Sequence, residues 1–456
     1  MRHWGITLFL CFLSIGGWGQ SSVALQQLLQ TPGLEHAAVG IAVKRVADGQ
    51  PLVVHQADMA LTPASVTKLF PTFLALQQKG SRFRYQTKVV YTGEIKEGIL
   101  TGDVVILAGG DPTLDSRYFP GHSLLEKLVV SLRKAGVCRI AGNIRVEGTR
   151  GGTDVPGSWL WEDVSNYYAA LYLPFNYRDN TCSFCFQTGG AGTAARLKAV
   201  EPPLPGIKIE NQVTASVDGG DRTWVYGGPY SSVLCIRGTL PQNRSVFKVK
   251  GAMHHPDKVF VAEAMQRLQK AGITVEQRHT EEQGQTELLI LYSPELQEIV
   301  FHTNKVSVNL FAEALGELVA PASWCDSLSH RLQKAGIDAA GVFLKDACGL
   351  SVMNAVPASV FTDLLVYAAA SDNEAFERSL PVAGMDGGLS GYCVGAPDLK
   401  NRLKAKTGSM TGVRCLAGYL TTASGERLAF SILINHYACT TSQLQRAVGK
   451  FLQSLL

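Results

Sequence analysis

A chain of 456 residues exceeds one typical hydrophobic core, so two or three domains are expected. Its 42 lysines and arginines against 38 acidic residues give a formal net charge of +4. That is too small for the basic footprint of a nucleic-acid-binding protein, and no nucleic-acid partner is expected.

The first segment, MRHWGITLFLCFLSIGGWGQSS, carries Arg2 and His3, then an apolar run, then small residues up to Gly19. This order reads as a cleaved secretory signal over residues 1–19, because the apolar run is too short to cross a bilayer comfortably. An uncleaved anchor is the competing reading. Cys11 follows Leu10, where a lipoprotein cysteine would follow a small residue. No later stretch is apolar enough to span a membrane, so an exported, soluble protein is expected, with no transmembrane segment after cleavage. Cleavage also removes one of the ten cysteines. The remainder is odd, and at least one thiol stays unpaired within the chain.

Two apolar strands flank Asp48-Gly49 in AAVGIAVKRVADGQPLVVHQ, a hairpin signal. SVTKLFPTFLALQQKG follows as a helix closing at Gly80, with Pro71 expected to kink it beyond the first turn. From about residue 83 to 255 the pattern changes to short strands and Gly-rich turns. One helix, SLLEKLVVSLRKAG, interrupts them between the strands GDVVILAGG and CRIAGNIRVEG. We therefore expect a small α/β module over 100–150 nested in a β-rich insertion over 83–99 and 151–255. In this stretch Cys182 and Cys185 form either a local disulfide or two buried thiols, and no second ligand pair at zinc-finger spacing follows. His254, His255 and Asp257 read as a polar linker; no metal or cofactor is expected. The chain is helix-rich again from DKVFVAEAMQRLQKAG and ends in three strand candidates, RLKAKTGSM, RCLAGYLTT and RLAFSILINHY, then a helix from near Ser442. Hairpin and helix at the start, strands and helix at the end, describe one interrupted domain over 20–82 and 256–456.

Three short motifs carry the chemistry. Ser65 and Lys68 stand three apart in TPASVTKLF, Ser307 and Asn309 precede an amphipathic helix, and Lys406, Thr407, Gly408 and Ser409 close a strand candidate. Ser-x-x-Lys alone is weak, for Ser131/Lys134 and Ser245/Lys248 share it. A rival Ser-Asp-Asn at 371–373 lies too close to Lys406 and reads as a helix end. In order, Ser-x-x-Lys, Ser-x-Asn and Lys-Thr-Gly are the signature of serine penicillin-binding proteins and class A β-lactamases. Acyl transfer needs an activated hydroxyl, and Lys68 can take the proton of Ser65 once its own is lost. Poising an ordinary lysine near neutrality needs roughly three pKa units, about 4 kcal/mol, which partial burial beside a second cation such as Lys406 can supply. Ser307 can pass the proton toward the leaving amine, and Asn309 can hold Lys68 and the substrate amide. Lys406 and Thr407 can bind a carboxylate, Gly408 lets substrate lie flush on the strand, and the N–H groups of Ser65 and Ser409 can hold the oxyanion.

The chain resembles the low-molecular-mass class C penicillin-binding proteins, DacB-type D-alanyl-D-alanine carboxypeptidases/endopeptidases. Besides the motifs, GGDPTL (109–114), WLWEDVSNYYAA (159–170), DACGLSVMN (346–354) and LPVAGMDGGL (380–389) are similar to family stretches. The resemblance implies an α/β (α+β) transpeptidase-like fold with helices packed around an antiparallel sheet and a long insertion. It also implies a periplasmic enzyme acting on peptidoglycan stem peptides through an acyl-enzyme on Ser65, with β-lactams as covalent inhibitors. Asp163 and Tyr168 match the family residues that hold the distal end of the stem-peptide side chain. The family's DGSGLSR becomes DACGLSV here, with Cys348 for a serine and Val352 for an arginine, and Thr411 replaces a glutamine. The lost arginine would have paired with a carboxylate on the substrate's diamino acid. A β-lactamase or esterase on the same scaffold is the runner-up, and a non-catalytic cell-wall-binding protein the third reading.

Overall fold

The computed structural model describes residues 16–148, 155–280, 284–371 and 373–456; the secretory-signal expectation falls mainly on residues 1–15, outside them. No helix among the described residues is long and apolar enough to cross a membrane. The chain divides into two compact units, one built from Met1–Leu61, Pro357–Val366 and Pro381–Leu456, the other from Thr62–Val356 and Tyr367–Leu380.

The first unit is a five-stranded antiparallel sheet in the order Leu403–Met410, Val413–Thr421, Arg427–Asn435, Ala38–Arg45, Pro51–His55. The expected hairpin is present. Gly49 takes φ 70°, and the Asp48 carboxylate accepts the Gln50 N–H, so the turn closes with its polar groups satisfied. Val39, Ile41 and Val43 pair in register with Ile434, Ile432 and Phe430. This apolar face packs against Leu28 of the first helix and against Leu444, Val448 and Phe451 of the C-terminal helix Thr441–Gln453. That helix starts at a capping box, in which Thr440 Oγ1 accepts the Gln443 N–H while the Gln443 side chain takes the Thr440 N–H.

In the second unit, Val104–Leu107, the helix Leu124–Lys134 and Ile144–Glu147 form a strand–helix–strand crossover with the two strands parallel. Gln86–Thr92 and Gln285–Tyr292 extend the sheet, and Phe260 and Leu268 of the helix Pro256–Lys270 share its core with Leu128 and Leu132. Residues 256–292 thus pack with the strands that precede them. Two three-stranded sheets follow between residues 181 and 252, around Phe184, Phe186, Val225 and Ile236. Cys182 and Cys185 are free thiols on one strand. Three residues apart in extended chain they point to opposite faces, about 10 Å apart, beyond disulfide reach.

The same unit contains the helices Leu69–Lys79, Leu296–Lys305, Asn309–Val319 and Glu374–Ser379. Asn304 fastens three of them, its Nδ2 donating to Thr72 and Ser379. The expected helix from Ser65 begins as a 3-10 turn, Ala64–Lys68, and becomes α-helical only at Leu69. Pro71 therefore sits in the first α-turn, where its missing N–H removes no α-helical bond, and not in the helix interior that the expectation gave it. Gly80 closes the helix at φ 81° with its N–H on Leu76 O.

Candidate active site

The 3-10 turn places Ser65 and Lys68 on one side, since residues three apart eclipse in that geometry. The turn is entered through Ala64 at φ 46°, a left-handed conformation costly for alanine. Gly349, itself at φ 83°, lies directly behind it; a Cβ there would stand 1.9 Å from the Ala64 carbonyl oxygen. Glycine at 349 is what allows the two backbones to meet.

Lys68 is fully buried. Its Nζ donates to Ser65 Oγ at 2.9 Å, Asn309 Oδ1 at 2.6 Å and the Cys348 carbonyl at 2.5 Å. Those three acceptors use the three N–H bonds of an ammonium. Burial lowers the pKa of Lys68, while Cys348, Asp346 and Glu313 pull it up. When the proton leaves, two N–H groups can stay on Asn309 and Cys348, and the lone pair is left facing Ser65. The other two Ser-x-x-Lys lysines, Lys134 and Lys248, are exposed, and Lys248 pairs with Glu201. Burial, invisible in the tetrad, separates them from Lys68.

Asn309 is the first residue of the helix Asn309–Val319. It bridges two segments, with Oδ1 on Lys68 and Nδ2 donating to the Tyr168 carbonyl at 2.7 Å. Ser307 lies just ahead of this helix at φ 62°. Tyr168 donates its hydroxyl to Asp163 Oδ1 at 2.6 Å, so these two side chains already hold each other. Of the rival Ser-Asp-Asn, Asp372 lies outside the described residues; Ser371 donates to the Tyr367 carbonyl, and Asn373 caps the helix Glu374–Ser379.

Lys406, Thr407, Gly408 and Ser409 lie on the edge strand of the five-stranded sheet, in the other unit. Lys406 is buried and donates to the Thr407 carbonyl at 2.7 Å; Ser409 is exposed at the strand end.

Two groups escaped the sequence reading. One is the Cys348 carbonyl, which no side-chain pattern reveals. The other is Glu313, whose Oε1 accepts the N–H groups of Ala347 and Cys348 at 2.9 and 2.8 Å. Its signal was present in the sequence, since position 313 lies four residues after Asn309 on one helix and shares its face. Glu313, Asp346 and Cys348 bring their ligand atoms within 4.8 Å of one another. Both oxygens of Asp346 are already occupied, Oδ1 by Gly349 N–H and Asn354 Nδ2, Oδ2 by Ser351 N–H and Trp159 Nε1. The cluster therefore lacks the open donor set that a metal needs.

The chain is 27% identical over 431 residues to the D-alanyl-D-alanine carboxypeptidase DacB of Haemophilus influenzae, covering 89% of this chain and 86% of that one. It is 26% identical to the D-alanyl-D-alanine carboxypeptidase of an Actinomadura species, over 91% and 80% of the two chains. The crystal structure of penicillin binding protein 4 (dacB) from Haemophilus influenzae superposes with a TM-score of 0.78 at 25% identity, over 94% of this chain and 98% of that one. The fold class that the resemblance implied, a mixed helix-and-strand penicillin-binding-protein fold with several sheets, is borne out. The D-Ala-D-Ala carboxypeptidase 3 (S13) family matches residues 21–455, and this chain, a D-Ala-D-Ala carboxypeptidase, belongs to it.

Proposed function

We propose that this carboxypeptidase cleaves the D-Ala-D-Ala end of peptidoglycan stem peptides, and their cross-links, through an acyl-enzyme on Ser65. The observation that carries the reading is the fully buried Lys68 bonded at once to Ser65, Asn309 and the Cys348 carbonyl. Neutral Lys68 takes the Ser65 proton as Oγ attacks the scissile carbonyl. The proton then passes by way of Ser307 to the leaving D-alanine nitrogen, and water completes the cycle. Lys406 and Thr407 bind the terminal carboxylate, Gly408 lets the substrate run beside the strand, and Ser65 and Ser409 N–H hold the oxyanion. Asp163, backed by Tyr168, meets the distal ammonium of the stem-peptide side chain. β-lactams mimic the acyl-D-Ala-D-Ala bond and acylate Ser65; a relative of this fold was crystallised with one, penicillin binding protein 4 of Haemophilus influenzae. An exported enzyme in the periplasm meets this substrate.

The test is labelling with fluorescent penicillin followed by mass spectrometry of the acylated peptide. One label on the peptide containing Ser65, absent in Ser65→Ala, is expected. Stoichiometric uptake by Ser65→Ala would show that another residue is the nucleophile.

A further inference from the structure

Beside Lys68 lies an ionisable side chain, Glu313, that bonds to the backbone leading into one of the acceptors of the amine, the Cys348 carbonyl. Asn309 and Glu313 share a helix face. Asn309 reaches Lys68 directly, while Glu313 accepts the N–H groups of Ala347 and Cys348, fixing the chain immediately before the Cys348 carbonyl. Asp346 completes the hold by accepting Gly349 N–H, the partner of that carbonyl in the same peptide unit. The segment from 346 to 349 is thus clamped by two carboxylates. Its Gly349 also backs the Ala64 carbonyl, so the clamp fixes the nucleophile turn as well as the amine.

We propose that Glu313 is a positioning residue for acylation: it holds the backbone that presents the Cys348 carbonyl to Lys68, and its negative charge opposes loss of the Lys68 proton. This rests on the reading of Ser65 as nucleophile and Lys68 as its base.

The electrostatic setting agrees. Removal from water, then Asp346 beside it, push the Glu313 carboxyl up to about 7, against the bonds it receives from Cys348 and Ala347. Its charge therefore changes in the range where such an enzyme works. The groups around it are Lys68, Asp346 and Cys348, and, along a cavity of about 460 Å³ that Glu313 also lines, Glu317, Cys325, Asp326 and Lys345.

The sign follows. Ionised Glu313 favours the Lys68 ammonium, which cannot act as base. Glutamine at 313 keeps an oxygen for the two N–H groups and removes the charge. The acid limb of the acylation rate in Glu313→Gln should accordingly move to lower pH by about one unit, with a near wild-type rate at alkaline pH. Glu313→Ala loses the clamp, and a misplacement near 1 Å should slow acylation about 100-fold. Acylation of each purified variant by fluorescent penicillin is followed by stopped flow across pH, with thermal unfolding in parallel. If Glu313→Ala does not fold, the glutamine profile alone decides. An unshifted acid limb in Glu313→Gln overturns the electrostatic role, and wild-type acylation by a folded Glu313→Ala overturns the positioning role. If the wild type itself takes no label at Ser65, the functional reading fails and this inference with it.

Discussion

The segment bearing Ser65 and the strand bearing Lys406 are built in opposite ways. Ser65 sits on a 3-10 turn entered through a left-handed alanine, backed by a glycine whose neighbour leaves no room for a methyl group, and its lysine is sealed from solvent. Lys406, Thr407, Gly408 and Ser409 sit on a regular antiparallel strand, in unbroken register with Ala417, Leu416, Cys415 and Arg414. With the roles proposed above, the difference teaches where each function draws its precision. A nucleophile and its base need a fixed mutual geometry and a dry environment, which irregular backbone and burial supply. A recognition strand needs only an edge, which ordinary sheet pairing supplies.

Substitutions sharpen this contrast, and the largest effect is expected at Lys68. Lys68→Arg keeps the charge but cannot deprotonate, so acylation should fall by about 10³-fold or more, read by penicillin labelling with circular dichroism as the check on folding. In the proposed mechanism the reactive form of Lys68 is the neutral amine. Because burial lowers the Lys68 pKa, acylation should rise with pH through a value below the ordinary lysine range and be lost as pH falls. A limb at the ordinary lysine value would mean that burial does not poise this amine.

Gly349→Ala comes next, since its Cβ must displace the Ala64 carbonyl. Acylation should drop about 100-fold, and stability by about 1–3 kcal/mol, measured by urea unfolding. An active, stable Gly349→Ala would mean that the nucleophile turn is more pliant than its close packing indicates. On the regular strand the effect should be smaller and confined to recognition. Thr407→Val should lower kcat/KM for D-Ala-D-Ala peptides about tenfold through a lost hydrogen bond to the carboxylate, leaving the fold unchanged. Val352, 44% exposed, stands where the resembled family has an arginine. Val352→Arg should raise kcat/KM by a similar factor, only for stem peptides whose diamino acid carries a carboxylate; matched pentapeptides assayed for D-alanine release decide it. The smallest effect is expected for Ala64→Gly. Relief of about 1–2 kcal/mol of left-handed cost is offset by about 0.5–1 kcal/mol of added chain entropy, so the unfolding midpoint should rise slightly. A clear loss of stability would show that the Ala64 methyl group packs more strongly than its conformation costs.

The same contrast explains what the sequence disclosed. Regular features were legible. The two apolar strands around the Asp48-Gly49 turn, the Gly80 stop and the strand–helix–strand pattern between 102 and 148 all have local causes, and all appear. The three motifs in order pointed to the family. Hidden were the features that depend on distant backbone: the 3-10 start that moved Pro71 into a harmless first turn, the left-handed Ala64, and the carbonyl of Cys348 on Lys68. Residue spacing carries no record of a main-chain acceptor that arrives from 280 positions away. Glu313 was legible in principle, four residues beyond Asn309, but a lone glutamate on an apolar helix reads as solvated until its two backbone partners are seen.

The five-stranded sheet joins the two ends of the chain, with Val39 beside Ile434 and Lys44 beside Ala429. Such pairing has very high contact order, and its loop-closure entropy is spent before any contact rewards it. The central strand pair therefore cannot form until the last strands have left the ribosome, and the sheet that carries Lys406 cannot assemble on a partial chain. A nascent or C-terminally truncated polypeptide holds Ser65 and Lys68 without this sheet, so in the proposed mechanism the nucleophile and base are made before the strand that binds the carboxylate.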